Sequence, residues 1–332
     1  MHVIIRTQAH ARAALLGNPS DGYFGKTIAF IIRNFTAEVT LWESPELEIL
    51  DSQEDRSRFR SLDDLVGQVR LFGYYGGVRL IKAALKKFAE HFASRNIVLP
   101  HRNFTIRYHS NIPRLVGMGG SSAIVVATIR ALMRLYDLEI PKTLVPTLAL
   151  HAETEELRIP AGLQDRVIQT YEGVVYMDFA RRLIEAQGYG AYEPLPKDCL
   201  PDLFVAYSEQ QAEGTEVTHS DLRSRFDHGD PVILKAMKKF ASYAEEGRAA
   251  LLAGDTRRLG ELMNANFDLR RSIVSLKPGQ VEMVEAARRL GAPCQFAGSG
   301  GAVVGLYTSE KQFAALRDAF RKLGCKTIRP KI

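Results

Sequence analysis

Apolar and polar positions alternate through the stretch from Thr27 to Leu50, as in Ile28-Ala29-Phe30-Ile31-Ile32-Arg33 and Ala37-Glu38-Val39-Thr40-Leu41-Trp42, and this predicts antiparallel strands. From Tyr74 to Arg95 the apolar positions take helical spacing, and Phe104 to Tyr108 returns to a strand. Helices are expected from about Ser121, Thr143 and Ala161, with Val174 to Asp178 as another strand. A Gly- and Pro-bearing passage from Gly188 to Pro201 reads as a boundary, dividing the chain into domains over 1–190 and 191–332. Beyond it, Leu203 to Tyr207 is strand-like, three or four helices follow, and Gln295 to Tyr307 is again strand. The pattern predicts an α+β protein with two layers in each half.

Composition adds limits. A chain of 332 residues with 46% hydrophobic content can bury sizeable cores without staples. Cys199, Cys294 and Cys325 are odd in number and far apart, so they suggest neither a disulfide framework nor a zinc site, and they fit a reducing cytoplasm. No apolar run approaches the length of a membrane span, and a soluble, cytoplasmic protein is expected, with no membrane partner. The net charge of +6 is made of basic residues interspersed with acids, and Lys82, Lys86 and Lys87 read as one solvated helix face. Nucleic acid is therefore not the expected partner; a modest positive balance suits anionic small molecules. Composition leaves the oligomeric state open.

The chemistry concentrates in Pro113-Arg114-Leu115-Val116-Gly117-Met118-Gly119-Gly120-Ser121-Ser122-Ala123. Three glycines let the backbone approach an anion, and the helix that follows aims its unpaired N–H groups at it. Such a cradle takes a polyphosphate together with a divalent cation, for which the hydroxyl of Ser121 or Ser122 is a natural ligand. The spacing is not that of a Walker loop, and the third glycine of a dinucleotide fingerprint is missing. A plain turn before a helix is the alternative reading.

A second glycine loop, Gly298-Ser299-Gly300-Gly301, enters an apolar strand and would serve either as a tight turn or as a cover over phosphates or substrate. Between the two loops lies His151 to Asp165. Pro160 permits a helix near Ala161, placing Asp165 in its first turn, where a carboxylate can orient a hydroxyl or simply complement the helix dipole. His109 and His151 receive no role.

Three segments in order resemble the GHMP kinases over essentially the whole chain: Arg12 to Asn18, Pro113 to Ala123 and Ala297 to Val304. Within that family, Leu16 to Gly25, Gly73 to Arg79, Ala161 to Val167 and Asn266 to Arg271 look like the plant-type glucuronokinase branch. The resemblance implies a two-domain fold whose N-terminal half is like the second domain of ribosomal protein S5, followed by a C-terminal α/β sandwich. It implies ATP and Mg2+ as cofactors and a small sugar acid as the other partner, phosphorylated on the anomeric hydroxyl. By position it assigns catalysis to Asp165 and Arg12, the nucleotide to Pro113, Gly117, Met118, Gly119, Gly120, Ser121, Ser122 and Ala123, and the metal to Ser121 or Ser122 with Glu153. Substrate contacts fall to Asn18, Ser20, Asp21, Tyr23, Tyr74, Tyr75, Gly298, Ser299 and Gly300, with Arg166, Arg270 or Arg271 for the sugar's carboxylate. Asn18-Pro19-Ser20 departs from the Gly-Glu-His of the galactose and mevalonate branches. Other readings are a kinase for galacturonate or a heptose phosphate, or a non-catalytic nucleotide- or RNA-binding relative.

Overall fold

The computed structural model describes residues 4–51, 55, 61, 76–209 and 215–332, with the backbone alone over 215–220. Its first sheet is organised by one long strand. β2 (Lys26–Glu43) pairs along nearly its whole length with β1 (Ile4–Leu16), while its other edge is shared between β5 (Val174–Asp178) and β4 (Phe104–Ser110). β3 (Glu48–Ile49) joins β4 in parallel, and β6 (Ala191–Leu195) closes the far edge against β5. The expected strands between Thr27 and Leu50 are thus one continuous strand and a two-residue piece. β1 escaped the pattern because only residues 4 to 9 alternate between exposed and buried; from Ala9 to Leu16 every residue is buried, so no polar face marks it.

Helix α1 (Gly77–Ala93) packs on helix α2 (Gly120–Tyr136), which covers one face of this sheet. α2 is apolar on nearly every side, as a helix enclosed between a sheet and other helices must be. Thr7 Oγ1 donates to Ala127 O at 2.7 Å, which pins α2 to β1. α3 (Val145–His151) runs into a short π-helical turn, Ala152–Glu156, and α4 (Gln164–Tyr171) follows. α5 (Arg181–Gln187) leads to β6.

The second sheet is antiparallel in the order β10 (Lys326–Ile328), β7 (Leu203–Tyr207), β9 (Ala302–Leu306), β8 (Cys294–Phe296). α6 (Thr215–Asp227) leads to α7 (Pro231–Ala253), which packs on β2 of the first sheet and on α8 (Thr256–Ile273); α8, α9 (Pro278–Arg289) and α10 (Glu310–Lys322) pack with the second sheet. The hand-over between sheets lies between β6 and β7, a few residues beyond 190. The halves are not separate bodies. One apolar cluster runs from Leu16, Ile28 and Phe30 through Ala244, Leu262 and Met263 to Val205 and Val304. Gly247 on α7 lies so close to Leu16 that a Cβ would overlap its side chain. Among the described residues, no helix is long and apolar enough to cross a membrane.

Candidate active site

β1 has one edge in the sheet and offers the other to both glycine loops. The N–H of Arg12 donates to Met118 O at 3.1 Å, and that of Ala14 to Ala297 O at 2.8 Å. A register shift between His10 and Ala11 immediately precedes Arg12, the kind of irregularity that re-aims a strand side chain. The loops then meet backbone to backbone. A Cβ at Gly117, which has φ +71°, would lie 2.6 Å from Ser299 N, and one at Gly298 would overlap Gly117 O. Glycine is required here by space as well as by backbone angle.

Arg12 is 5% exposed and gives most of its donors to this junction. Its Nε and Nη2 donate to Asp165 Oδ1 and Oδ2, each at 2.7 Å, and its Nη1 donates to Gly117 O at 2.6 Å and Ala297 O at 2.8 Å. Four of the five guanidinium donors are spent on holding Asp165 and tying the loops together. Asp165 sits in the first turn of α4, as expected, and its side chain is 17% exposed, on the cavity side. Burial alone would raise its pKa, yet the charges of Arg12 and Arg166 outweigh that and hold the carboxyl below the usual carboxylate range.

Glu153 is carried on the π-helical turn, a distortion that turns successive side chains by less than an α-helix does and recurs at functional sites. The residue is buried. Its Oε2 receives Arg166 Nε at 2.9 Å and Nη2 as well, while Arg166 Nη1 donates to Gly162 O at 2.8 Å. Oε1 has no partner among the described residues, although it is buried. An orphan carboxylate oxygen on the wall of a cavity has the chemistry of a hard-cation ligand, so the residues fit magnesium. Of the two serines, Ser121 lines the cavity, whereas Ser122 is fully buried and turns its hydroxyl back to Gly119 O at 3.1 Å. Only Ser121 is placed to reach a cation there. Among the described residues no cluster of three or more His, Cys, Asp or Glu side chains could hold a metal by protein ligands alone.

The cavity between these groups has a volume of about 470 Å³. Pro113, Gly117, Met118, Gly119, Gly120 and Ser121 form one wall; Asn18, Asp21, Gly22 and Tyr23 form another, with Asp165 between them. Ala123 is buried in α2 behind the loop. Asp21 Oδ2 accepts from Gln164 N at 3.3 Å and presses on Gly162, where a Cβ would overlap it. Enclosure raises its carboxyl first, the nearby Asp165 charge second, and the result is about 6. Burial likewise lifts the Tyr23 phenol to about 12.

The arginines expected to face the sugar are used elsewhere. Arg166 is taken by Glu153. Arg270 is buried and donates to Asn18 Oδ1 at 3.0 Å, Gly298 O at 2.7 Å and Ser299 O at 3.1 Å, so it builds the second glycine loop. Arg271 points outward and pairs with Glu285 at 3.2 Å. Ser20 is buried beneath a turn, its hydroxyl exchanging hydrogen bonds with the Lys26 backbone. Of the second glycine loop only Ser299 lines the cavity; Gly298 and Gly300 shape the turn behind it, Gly298 against Gly117 and Gly300 against Gln280. Tyr74 and Tyr75 lie outside the described residues. Arg166 lines the cavity with its charge matched by Glu153, Arg270 and Arg271 do not line it, and Arg114, Arg158 and Arg223, which pattern reading passed over, do. Arg114 stood inside the glycine segment and Arg158 inside the His151 to Asp165 segment, whereas Arg223 lies on a polar stretch with no local signal.

Residues 79–173 match the family pattern for the GHMP kinases N terminal domain, and residues 248–324 that for the GHMP kinases C terminal. The chain is 44% identical over 334 residues to Glucuronokinase 1 of Arabidopsis thaliana, covering 98% of this chain and 91% of that protein. The chain belongs to the GHMP kinases. A more distant member, mevalonate kinase of Methanocaldococcus jannaschii, is 23% identical over 95% of both chains. The fold is that of solved family members. L. major mevalonate kinase in complex with R-mevalonate gives a TM-score of 0.70 at 21% identity, covering 99% of this chain and 97% of that one. Lactococcus lactis galactokinase complexed with galactose gives 0.76 at 15% identity, covering 99% and 93%. As a GHMP kinase, the protein is an ATP-using phosphotransferase.

Proposed function

We propose that this GHMP kinase transfers the γ-phosphate of ATP to the anomeric hydroxyl of D-glucuronate. The observation that carries the reading is Asp165, an ionised carboxylate gripped by Arg12 and open only to a cavity walled by a glycine phosphate loop. The 44% identity to Glucuronokinase 1 supports the choice of sugar acid. Phosphoryl transfer through a loose transition state asks the protein for alignment and charge neutralisation more than for covalent chemistry. The triphosphate lies along Gly117 to Ser121, at the N-terminus of α2, where backbone N–H groups converge. Each Asp165 oxygen keeps one lone pair after Arg12 has taken the other, so it accepts the sugar hydroxyl in a fixed orientation. A carboxylate with a depressed pKa is a weak base, and it acts chiefly by orienting the hydroxyl, taking the proton late. Arg12 acts through Asp165 and the loops.

Glu153 Oε1 and Ser121 Oγ are the atoms that would hold magnesium; bound there with nucleotide, the ion neutralises charge on the phosphates. The test is a panel of sugars with ATP and magnesium, scoring ADP release and locating the phosphate on the product by phosphorus-coupled NMR. Glucuronate is expected to give the highest kcat/KM, with the phosphate on the anomeric oxygen. Phosphorylation confined to a neutral sugar, mevalonate or a sugar phosphate overturns the reading.

A further inference from the structure

We infer that Arg223, on α6, is the residue that recognises the carboxylate of the sugar and so sets the enzyme's preference for an acidic over a neutral hexose. The inference rests on the proposed function above and supplies the cation that it needs.

An anionic sugar brought to Asp165 enters a wall that already carries two acids, Asp165 and Asp21, close enough that the charge of Asp165 helps to raise the Asp21 carboxyl. Like charges at that separation repel, so a hexuronate binds only if a cation stands on the same wall. Arg166 lines the cavity, but its charge is already matched by the buried Glu153 carboxylate, and Arg270 is turned to Asn18 and the second glycine loop. Arg271 faces away.

Three arginines remain in the cavity, and position separates them. Arg114 belongs to the phosphate loop. Arg158 follows the turn that carries Glu153, and the next residue, Ile159, donates its N–H to Glu153 O at 2.9 Å, so Arg158 stands on the metal and phosphate side. Arg223 is on the opposite wall. Its Nη2 donates to Gly22 O at 2.5 Å, one residue from Asp21, which is itself bonded to the start of the Asp165 helix. Asp165, Asp21, Gly22 and Arg223 therefore form a continuous surface, in the order needed for a ring whose reacting hydroxyl lies at one end and whose carboxylate lies across the ring at the other.

The guanidinium is also prepared for a planar anion. It lies 4.6 Å from the centre of the Tyr23 ring, which fixes its plane without using a donor. Gly22 takes one donor, and Asp227 approaches Nη1 only to 3.9 Å, beyond a good hydrogen bond. Because Gly22 takes only one of the two Nη2 hydrogens, one edge of the guanidinium, Nε with Nη2 or Nη1 with Nη2, keeps both parallel N–H groups for a bidentate carboxylate.

The experiment compares the parent with Arg223→Ala, Arg223→Lys and Arg158→Ala, using glucuronate, galacturonate and their neutral counterparts glucose and galactose, with ATP KM and thermal melting measured for each protein. Arg223→Ala is expected to lower kcat/KM for the acid sugar by about 10²-fold or more. Its neutral-sugar activity and ATP KM should stay within about threefold of the parent, so the acid-to-neutral ratio collapses. Arg223→Lys keeps the charge but not the fork and falls between. The two hexuronate arms show which ring configuration accompanies the carboxylate. A parent that prefers acid sugars while Arg223→Ala retains that preference within about threefold, or loses it only with Arg158→Ala, overturns this inference alone. A parent without preference for any hexuronate overturns the proposed substrate as well. Should Arg223→Ala melt early, protection of the parent and of Arg223→Lys against heat by glucuronate with a non-hydrolysable ATP analogue decides: equal protection overturns the inference, and weaker protection of the lysine variant supports it.

Discussion

Asp165 and Asp21 are neighbouring carboxylates driven in opposite directions, and the difference tells their tasks apart. The charges of Arg12 and Arg166 hold the Asp165 carboxyl below the usual carboxylate range, whereas enclosure and the charge of Asp165 lift Asp21 to about 6. Asp165→Asn is expected to lower kcat by about 10²-fold or more while ATP KM moves little, since it removes the hydroxyl acceptor and leaves the cradle. Steady-state rates with saturating sugar read this directly, and a rate within a few-fold of the parent would remove Asp165 from the chemistry. For Asp21 the sign follows from a folded pKa above the unfolded one. Its protonated form contributes stability that is present below about pH 4 and is lost as pH rises through about 6. Asp21→Asn should therefore raise the melting temperature near pH 8 and change it little near pH 4, as paired thermal scans would reveal. The two serines make an equally sharp contrast. Ser121→Ala and Glu153→Gln should each raise the magnesium concentration needed for half-maximal rate, while Ser122→Ala, whose hydroxyl only caps Gly119 O, should leave it unchanged. Magnesium titration at fixed ATP measures all three.

Individual elements differ in how far they could be read from the chain. Both glycine loops were legible because a close backbone approach needs glycine, and α2, β5 and β7 were legible as apolar runs whose lengths tell helix from strand. Asp165 was legible because Pro160 and Ala161 announce a helix start. The pairings were not. Arg12 and Asp165 are separated by 153 residues, and only the packing of β1 against both loops brings them together. Arg166, by contrast, lies beside Asp165 in sequence but turns to Glu153, thirteen residues away, because the π-helical turn redirects that acid. Lys86 and Lys87, read as a solvated face, reach across from α1 to Glu156 and Glu155 and brace that turn. The loop contact allows a prediction at this scale. Gly298→Ala would press a methyl group on Gly117 O, a backbone atom that cannot swing aside, so the variant should lose about 1–3 kcal/mol of stability and show a raised ATP KM. An unchanged melt and ATP KM would mean that the loops do not touch.

At the scale of the whole molecule, α8 is the member that links the cavity wall bearing Asn18 to the second sheet. Asn266 Oδ1 accepts from Gly17 N at 2.9 Å and its Nδ2 donates to Asn18 O at 3.3 Å. One turn along, Arg270 joins Asn18 to Gly298 and Ser299 and lies 5.2 Å from the centre of the Phe296 ring. A single buried guanidinium thus joins the Asn18 loop of the first half to the glycine loop of the second, which itself rests on Gly117. Arg270→Ala strands three oxygens in a buried site, and each lost partner costs about 1–3 kcal/mol before relaxation. The variant should melt several degrees lower. More tellingly, it should raise KM for ATP and for the sugar together, because both loops lose one support, whereas Arg223→Ala should raise the acid sugar's KM alone. Measuring both constants in both variants separates a residue that holds the cleft from one that reads its contents, and a sugar-only effect of Arg270→Ala would return the buried arginine to the substrate.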